Sequence, residues 1–257
     1  MSIEHTMSIE QVTAIVKTLE RPRSLQKLIH SIRCYYPQMT VLVGDDSSST
    51  CQVPDIECLR LPTDCGASAG RNRLLEHVKT PYFLQLDDDF CFTDHTQIEV
   101  LVDLLLREEI DLAAGEVINC KRHLGLFTKR RRSRFHGVMT LEQRHLTIER
   151  RYRAERKAFG LCDIVPQFFV ARLDKVLSMG GWDEELKTQE HEEFFVRAQR
   201  QGLRVAHVPA VTVEHWQTRP PHYAAFRDRC FLPRAAEKMG IDAWTHLDGQ
   251  QRDFRAA

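Results

Sequence analysis

The sequence predicts an α/β protein in which helices pack on a mixed, mostly parallel sheet. Two observations lead to this class. Short apolar runs rich in β-branched residues alternate with segments whose apolar residues recur at helical spacing. Strands that alternate with helices in this way form parallel βαβ units. Acidic clusters directly follow two of the predicted strands, at the ends where open α/β sheets bind ligands.

The first half of the chain shows this alternation throughout. Strands are predicted at residues 12–16, 40–44, 56–61, 81–86 and 110–118. Helices are predicted to begin near residue 21, at Gly66 and near residue 95, because apolar side chains recur every three or four positions after each of these points. This half therefore supplies most of the parallel sheet.

The second half is more mixed. A strongly apolar strand is predicted at 164–171, a helix at about 190–201, and two short strands at 205–208 and 211–213. We predict one large domain over residues 10–217. Residues 218–257 are predicted to form a helical extension packed on that domain, with a helix from about 222 to 238.

Composition describes an ordinary globular protein. The chain has 257 residues, of which 42% are hydrophobic and 28% charged. No apolar run approaches the roughly 20 residues needed to span a bilayer, and the N-terminus lacks the pattern of a secretory signal. The eight cysteines form no CxxC pair and are expected to be reduced thiols of a cytosolic protein. The spacing of Cys51, Cys58 and Cys65 fits no common zinc site.

A net charge of zero conceals one strongly basic segment. Residues 121–157 contain thirteen Lys or Arg and only three Asp or Glu. Such a segment can bind anionic lipid head groups, nucleic acid or an acidic acceptor. The alternative is a solvated, partly disordered loop. We treat it as a basic insertion in the main domain.

The stretch 83–92 places three consecutive carboxylates at the end of an apolar strand. Because side chains alternate along a strand, Asp87 and Asp89 are expected to point the same way and Asp88 the opposite way. Two carboxylates aimed at one point make a hard-oxygen site for Mn²⁺ or Mg²⁺. A structural hydrogen-bonding role is expected for Asp88. The alternative for the whole cluster is a solvent-exposed acidic turn.

The order of these pieces resembles family-2 glycosyltransferases with the GT-A fold, a Rossmann-like fold of nucleotide-diphospho-sugar transferases. The matching pieces are residues 12–18, 43–47, 70–72, 87–89, 181–184, 192–193 and 214–215. Within that group the chain is similar to the β-1,4-N-acetylgalactosaminyltransferases that make the GM2 and GD2 gangliosides. The sequence motifs on which this similarity rests are residues 31–37, 86–90, 168–176 and 191–195. It covers roughly residues 11–120 and 161–217 and leaves out the basic segment.

The resemblance implies a donor site at the strand ends. Thr18 and Asp46 should line the nucleotide pocket, with Asp46 accepting a hydrogen bond from uracil, and Arg71 should lie beside the base and phosphates. Asp87 and Asp89 correspond to the outer members of a DxD motif. Asp89 should bind the metal directly, while Asp87 holds the metal, its water or the ribose. Asp88 belongs to the same nucleotide-sugar site, and His215 matches a late metal-ligating histidine.

The resemblance also implies a catalytic base and an acceptor site. Inverting transfer needs a carboxylate that removes the proton of the acceptor hydroxyl, and the family places it at the start of a helix. Adjacent helical residues lie about 100° apart, so only one of Glu192 and Glu193 can face the acceptor. Glu193 is the first choice and Glu192 the second. Trp182, Asp183 and His191 are expected to bind the acceptor, although a core role for Trp182 is almost equally consistent with the sequence.

The sequence therefore predicts an inverting, metal-dependent glycosyltransferase. It would move a sugar, with GalNAc as the candidate, from a UDP-sugar to a glycan, glycolipid or other hydroxyl acceptor. We expect a cytoplasmic enzyme that contacts the inner face of an anionic membrane through residues 121–157 and binds no nucleic acid. One alternative is a nucleotidyltransferase or phosphotransferase, against which the sequence lacks a GxxxxGK[ST] triphosphate loop. The other is a non-enzymatic basic adaptor that binds membrane or nucleic acid. A terpene synthase fits less well, because its acidic motif lies on a helix.

Overall fold

The computed structural model describes residues 9–49, 51, 53, 56, 58–123 and 127–255. Its strands are β1 Val12–Thr18, β2 Thr40–Asp45, β3 Cys58–Arg60, β4 Tyr82–Asp87, β5 Phe90–Cys91, β6 Leu112–His123, β7 Phe127–Arg132, β8 Val138–Glu142, β9 His145–Glu149, β10 Ala154–Glu155, β11 Gly160–Cys162, β12 Phe169–Arg172, β13 Val205–His215, β14 Ala243–Thr245 and β15 Gln251–Asp253. Its helices are α1 Pro22–Tyr35, α2 Gly66–Leu75, α3 Ile98–Arg107, α4 Leu173–Ser178, α5 His191–Arg200, α6 Pro221–Arg227 and α7 Leu232–Met239.

The main sheet is mixed, as predicted. Its strand order is β10-β11-β13-β6-β12-β4-β1-β2-β3, with β5 paired to β13 and β7 paired to β6. The pairs β1–β2, β1–β4, β2–β3 and β6–β13 are parallel, whereas β12 runs antiparallel between β4 and β6. The carboxyl ends of β1, β2 and β4 therefore meet at one edge of the sheet.

Helices cover both faces of this sheet, so its central strands are buried on both sides. Along β1, Val12, Ala14 and Val16 join the apolar cluster that contains α1 and α3, while Ile15 joins the cluster on the opposite face. This follows from the two-residue period of side chains in a strand. The apolar runs of the sequence are therefore the central strands, and their ends carry the polar groups.

The basic segment folds into strands and is not a disordered loop in the part that the structure describes. β7 pairs antiparallel with β6, and β8 pairs antiparallel with β9. β9 in turn pairs parallel with β14, near the end of the chain. A second sheet with the order β15-β14-β9-β8 results. The insertion and the C-terminal extension thus share one small sheet.

Several predicted boundaries change. The extension is not purely helical, because it adds β14 and β15 to the two helices α6 and α7. The single helix predicted at about 222–238 is interrupted between α6 and α7. The two short strands predicted at 205–208 and 211–213 form one strand, β13, with a register shift between Val208 and Thr212. The predicted strand 164–171 is strand only from Phe169 onward, in β12.

Two expectations from composition can also be compared with the structure. All eight cysteines are free thiols. No helix within the described ranges has the length and apolar character needed to cross a bilayer.

Candidate active site

An open cleft of about 680 Å³ lies at the carboxyl edge of the main sheet. Its walls come from the end of β4, the start of α5, the end of β13 and the second sheet. The acidic cluster lies on one side of the cleft, and Trp244 and Arg252 of the second sheet lie on another. The cleft is therefore completed by strands at the far end of the chain.

The three consecutive carboxylates differ in their surroundings, and only Asp87 belongs to β4, because Asp88 and Asp89 form the turn before β5. Asp87 and Asp89 line the cleft. The Asp87 side chain is 36% exposed, whereas that of Asp88 is completely buried. Asp88 accepts a hydrogen bond of 2.6 Å from the Thr18 hydroxyl. Asp88 thus makes internal contacts and does not line the cleft, which fits the structural role expected for it and not the predicted nucleotide-sugar role.

Arg21, which the sequence did not single out, compensates two of these charges. Its guanidinium forms an ion pair with Asp88 and donates to the Asp89 Oδ2 at 2.6 Å. The ring of Tyr223, on α6, covers the guanidinium at 4.0 Å. Burial raises the pKa of Asp88 to about 7, although the positive charge of Arg21 opposes this shift. The Arg21 guanidinium therefore stabilises neighbouring carboxylates that would otherwise repel one another.

His215 lies beside Asp89 because β5 pairs antiparallel with the end of β13, which sets Phe90 opposite His215. The His215 Nε2 lies 3.3 Å from the Asp89 Oδ1, and its Nδ1 lies 2.8 Å from the Asn119 Oδ1. Burial opposes the protonation of His215, but the hydrogen bond and charge of Asp89 raise its pKa overall. The structure thus brings together two of the predicted metal ligands.

These donors fit a divalent ion of the Mn²⁺ class. A carboxylate oxygen and an imidazole nitrogen converge, and the partly exposed Asp87 lines the same cleft. A group of three His, Cys, Asp or Glu side chains arranged to hold a metal is not found among the described residues. A cation held by Asp89 and His215 would therefore need further ligands from substrate or water.

The predicted nucleotide residues Thr18 and Asp46 do not line the cleft. Thr18 is 1% exposed and bonded to Asp88, and Asp46 is completely buried. The Lys17 ammonium lies 2.6 Å from the Asp46 Oδ1, and the Gly66 amide donates to Asp46 Oδ2 at 3.2 Å. The prediction that they line the pocket is wrong for this conformation, because both side chains are buried in contacts within the protein.

Arg71 lies in the cleft wall and is held there from several sides. It forms an ion pair with Glu190, and its Nη2 lies 3.4 Å from the Asp87 Oδ1. Its guanidinium packs 5.4 Å from the centre of the Trp182 ring. Gln167 donates to the same Glu190 carboxylate at 3.5 Å. Glu190 was missed, since it precedes the predicted acidic pair and nothing in the sequence links it to Arg71.

The choice between Glu192 and Glu193 is corrected by the structure. Glu193 does not line the cleft, because both of its oxygens accept hydrogen bonds from Arg197, at 2.5 and 2.9 Å, in the same helix. Glu192 lines the cleft and lies 3.3 Å from the Nε2 of His246. Burial tends to raise the pKa of Glu192, but His246 and the neighbouring His191 lower it overall. Glu192 is thus the cleft-facing carboxylate of α5 and favours the ionised form.

The predicted acceptor residues divide into two groups. His191 lines the cleft and packs against Phe135 at 5.0 Å. Trp182 is 1% exposed and stacks on Phe194 at 4.8 Å, so it is a core residue and does not present a face to a sugar. Asp183 is bonded to the Lys238 ammonium at 2.9 Å and does not line the cleft. The acceptor role predicted for Trp182 and Asp183 is therefore wrong.

The second sheet supplies a wall that sequence reasoning missed. His246 follows β14, and its ring lies 5.7 Å from those of Trp244 and Phe135. The His246 Nδ1 lies 3.7 Å from the Asp248 Oδ1. The hydrogen bond that His246 donates to Glu192 is the largest cause that raises the pKa of His246. Because this wall depends on pairing between the insertion and the chain end, no local pattern indicates it.

Comparison with known proteins identifies the family of this chain. The family model described as "Glycosyl transferase family 2" matches residues 13–177. The chain belongs to this glycosyltransferase family, and the predicted family is confirmed.

Curated relatives point to one branch of the family. Beta-1,4 N-acetylgalactosaminyltransferase 2 of Mus musculus is 34% identical over 215 residues, which is 82% of this chain and 40% of the relative. Beta-1,4 N-acetylgalactosaminyltransferase 1 of Homo sapiens is 37% identical over 215 residues, 79% of this chain and 38% of the relative. The chain thus spans about 40% of the length of the curated relatives it matches.

Solved structures confirm the predicted GT-A fold. TarS residues 1–349 of S. aureus, in complex with UDP-GlcNAc, superposes with a TM-score of 0.60 at 14% identity, covering 83% of this chain and 60% of that one. GalNAc-T7 with UDP, GalNAc and Mn²⁺ gives a TM-score of 0.54 at 16% identity, covering 84% of this chain and 47% of that one. At these identities the likeness concerns the fold.

Proposed function

We propose that this chain is an inverting, metal-dependent glycosyltransferase that moves a sugar from a UDP-sugar to a hydroxyl acceptor. The observation that carries the proposal is the composition of one cleft. Asp89 and His215 converge on one side, and the ionised Glu192 faces the same cleft from α5. A cation site and a separate base in one cleft are what displacement of a nucleotide diphosphate requires.

The donor is assigned to the side of the acidic motif. Asp89 and His215, with Asp87 beside them, would hold a Mn²⁺ ion. Such an ion supplies a Lewis acid that neutralises charge on the departing diphosphate. Arg71 and Lys17 line the same cleft and add positive charge next to this site. GalNAc is the proposed sugar, because the curated relatives are named N-acetylgalactosaminyltransferases.

The acceptor is assigned to the side of Glu192 and the second sheet. Glu192 accepts the proton of the acceptor hydroxyl as the oxygen attacks the anomeric carbon, and inversion follows from this direct displacement. His246 holds Glu192 Oε1, which leaves the other oxygen available to the acceptor. His191 and Phe135 border the same region. A glycan or glycolipid is the proposed acceptor class.

The test is a panel of UDP-sugars incubated with Mn²⁺, with release of UDP as the measurement. We expect turnover with UDP-GalNAc that a chelator abolishes. Asp89→Asn should lose both turnover and Mn²⁺-dependent binding of UDP. Glu192→Gln should still bind UDP but lose turnover by about 10² to 10⁴-fold, the usual contribution of a general base.

Glu193→Gln is the matched control on the same helix. It should keep turnover of the fraction that remains folded, since Glu193 faces Arg197. Normal turnover of Glu192→Gln would refute the assigned base. Release of pyrophosphate in place of UDP would instead support a nucleotidyltransferase.

A further inference from the structure

The β6–β7 ribbon, residues 118–123 and 127–132, divides its positive charges between two faces. In the antiparallel register Cys120 pairs with Arg130 and Lys121 pairs with Lys129. Directly paired residues share a face, and successive residues alternate. Asn119 therefore shares its face with Lys121, Lys129 and Arg131. This face is called the cleft-side face, because Asn119 itself lines the cleft.

The opposite face of the ribbon uses its cations internally. Arg130 Nε donates to the Glu214 Oε1 at 2.8 Å, and Arg132 Nη1 donates to the Pro209 carbonyl at 3.0 Å. The Arg122 guanidinium lies 5.8 Å from the centre of the Trp216 ring. All three contacts are made with β13 or the residue after it. These arginines therefore attach the ribbon to the main sheet.

The cations of the cleft-side face differ from those of the opposite face. Lys121, Lys129 and Arg131 are exposed. None of the three takes part in an ion pair within the ranges that the structure describes. Lys121 and Lys129 stand directly opposite each other across the ribbon, an arrangement of like charges that destabilises a strand pair. A row of cations that weakens its own ribbon is explained by an anionic partner outside the chain.

An apolar residue adds a second feature to this face. Phe127 forms the last pair of the ribbon, with His123, and lies on the same face as Lys129 by alternation. Its side chain is 64% exposed, and none of the other large hydrophobic residues described is as exposed. A lipid surface fits both features, because its phosphates attract the cations and its interface accepts an aromatic side chain.

We propose that the cleft-side face of the β6–β7 ribbon docks on an anionic lipid surface, with Phe127 entering the head-group region. Lys121, Lys129 and Arg131 would contact the lipid phosphates. Because Asn119 lies on this face and bonds to His215 at the cleft, docking brings the mouth of the cleft close to the bilayer. An acceptor held in the membrane then reaches the cleft without leaving the lipid surface.

The experiment measures cosedimentation of the full chain with vesicles of phosphatidylcholine, alone or mixed with phosphatidylserine. We expect binding only to the mixed vesicles, and weaker binding as salt rises. Each cation near an anionic surface contributes about 1 kcal/mol, which is roughly a fivefold change in affinity. Lys121→Gln with Lys129→Gln should therefore weaken binding by roughly 25-fold. Phe127→Ser should weaken it further.

The matched control neutralises two exposed lysines outside the ribbon, Lys27 and Lys79, by the same substitution. It should bind the mixed vesicles as the wild type does, and both double variants should keep the wild-type rate of UDP release from the donor. Equal losses in both double variants would overturn the proposal. So would equal binding to neutral vesicles, or a preference for single-stranded RNA or heparin over vesicles, which would assign the face to a polyanion.

Discussion

Arg21 makes the acidic motif possible at the scale of single residues. Three adjacent carboxylates at the end of a buried strand repel one another, and burial makes their charge costly. The guanidinium of Arg21 contacts two of them from one position, and its side chain is 9% exposed. A fixed cation therefore holds Asp88 and Asp89 in place, while Asp87 and one oxygen of Asp89 remain directed at the cleft.

Substitution of Arg21 should consequently destabilise the fold. Arg21→Ala leaves Asp88 and Asp89 without their partner, and removing one member of a buried ion pair typically costs about 3 to 5 kcal/mol. Urea unfolding followed by circular dichroism measures the change. Arg73→Ala is the control, because the Arg73–Glu76 pair is exposed, and such pairs contribute at most about 1 kcal/mol. Equal effects of the two substitutions would contradict a structural role for Arg21.

The Glu192–His246 pair should give stability a defined dependence on pH. The pKa of His246 is raised, so its contribution is complete below the unfolded value of about 6.5 and is lost as pH rises through the folded pKa. The pKa of Glu192 is lowered, so its contribution is complete above about 4.3 and is lost as pH falls through the folded pKa. The pair should stabilise most between these two values.

This dependence can be measured against Glu192→Gln, which removes one charge of the pair. The difference in unfolding free energy between wild type and variant should reach about 1 to 2 kcal/mol near pH 5.5. It should shrink towards pH 8 and towards pH 3. A difference that stays constant over this range would show that the pKa values of the pair do not change on folding.

Some residues of the site were predictable from sequence and others were not. The different exposure of Asp87 and Asp88 agrees with the alternation expected from sequence, although β4 ends at Asp87. The pairing of Asp89 with His215 followed from family resemblance. No sequence pattern indicated the role of Arg21, since an arginine before a helix is common. Glu192 and Glu193 could not be separated, because the rotation of α5 about its axis is set by tertiary packing.

At the scale of elements, α5 divides its residues between cleft and core. Glu192 faces the cleft, whereas Phe194 packs into the core against Trp182 and Phe169. The two positions differ by about 200° around the helix. Packing of Phe194 therefore fixes the direction of Glu192, and loss of core contacts should disturb the site indirectly.

Substitution of Trp182 tests this link between core packing and the cleft. Trp182→Ala removes a fully buried ring from beneath Arg71 and Phe194, and such truncations cost about 3 to 5 kcal/mol. Thermal unfolding should show the loss, and Trp182→Phe should recover most of it. If Trp182 instead stacked on a sugar, Trp182→Ala would raise KM for the acceptor and leave the unfolding temperature unchanged.

The strands show where pattern reasoning loses accuracy. Buried strands such as β1 and β4 were predicted correctly, since their apolar runs are continuous and bounded by polar residues. β13 was predicted as two strands because Pro209 and Ala210 interrupt its apolar pattern. In the structure these two residues lie within the register shift between Val208 and Thr212, and pairing with β6 continues on both sides of it.

At the scale of the whole molecule, the second sheet joins the insertion to the chain end. Ala243 pairs with His145, and Arg144 forms two hydrogen bonds of 2.8 Å with Asp242. The fold class was predictable because local alternation determines it. This sheet was not predictable, because its partners are distant in sequence and its strands are only three to five residues long.

Removal of β14 and β15 should therefore affect both stability and the site. A chain ending at Gly240 lacks Trp244 and His246 and leaves β9 without a partner on one edge. We expect a lower unfolding temperature, increased binding of a hydrophobic dye, and loss of UDP release. A chain lacking only residues 256–257 is the control. Unchanged activity of the chain ending at Gly240 would refute the role assigned to the second sheet.

The parallel pairing of β9 with β14 also bears on the order in which the protein matures on the ribosome. The contacting residues Arg144 and Asp242 are 98 positions apart, and contacts at such separations form slowly because a long loop must first close. The acidic side of the cleft, proposed to bind the donor, can assemble from earlier segments, but the wall proposed to bind the acceptor waits for β14 to be translated. A nascent chain would thus acquire the proposed nucleotide site before it could complete the whole cleft.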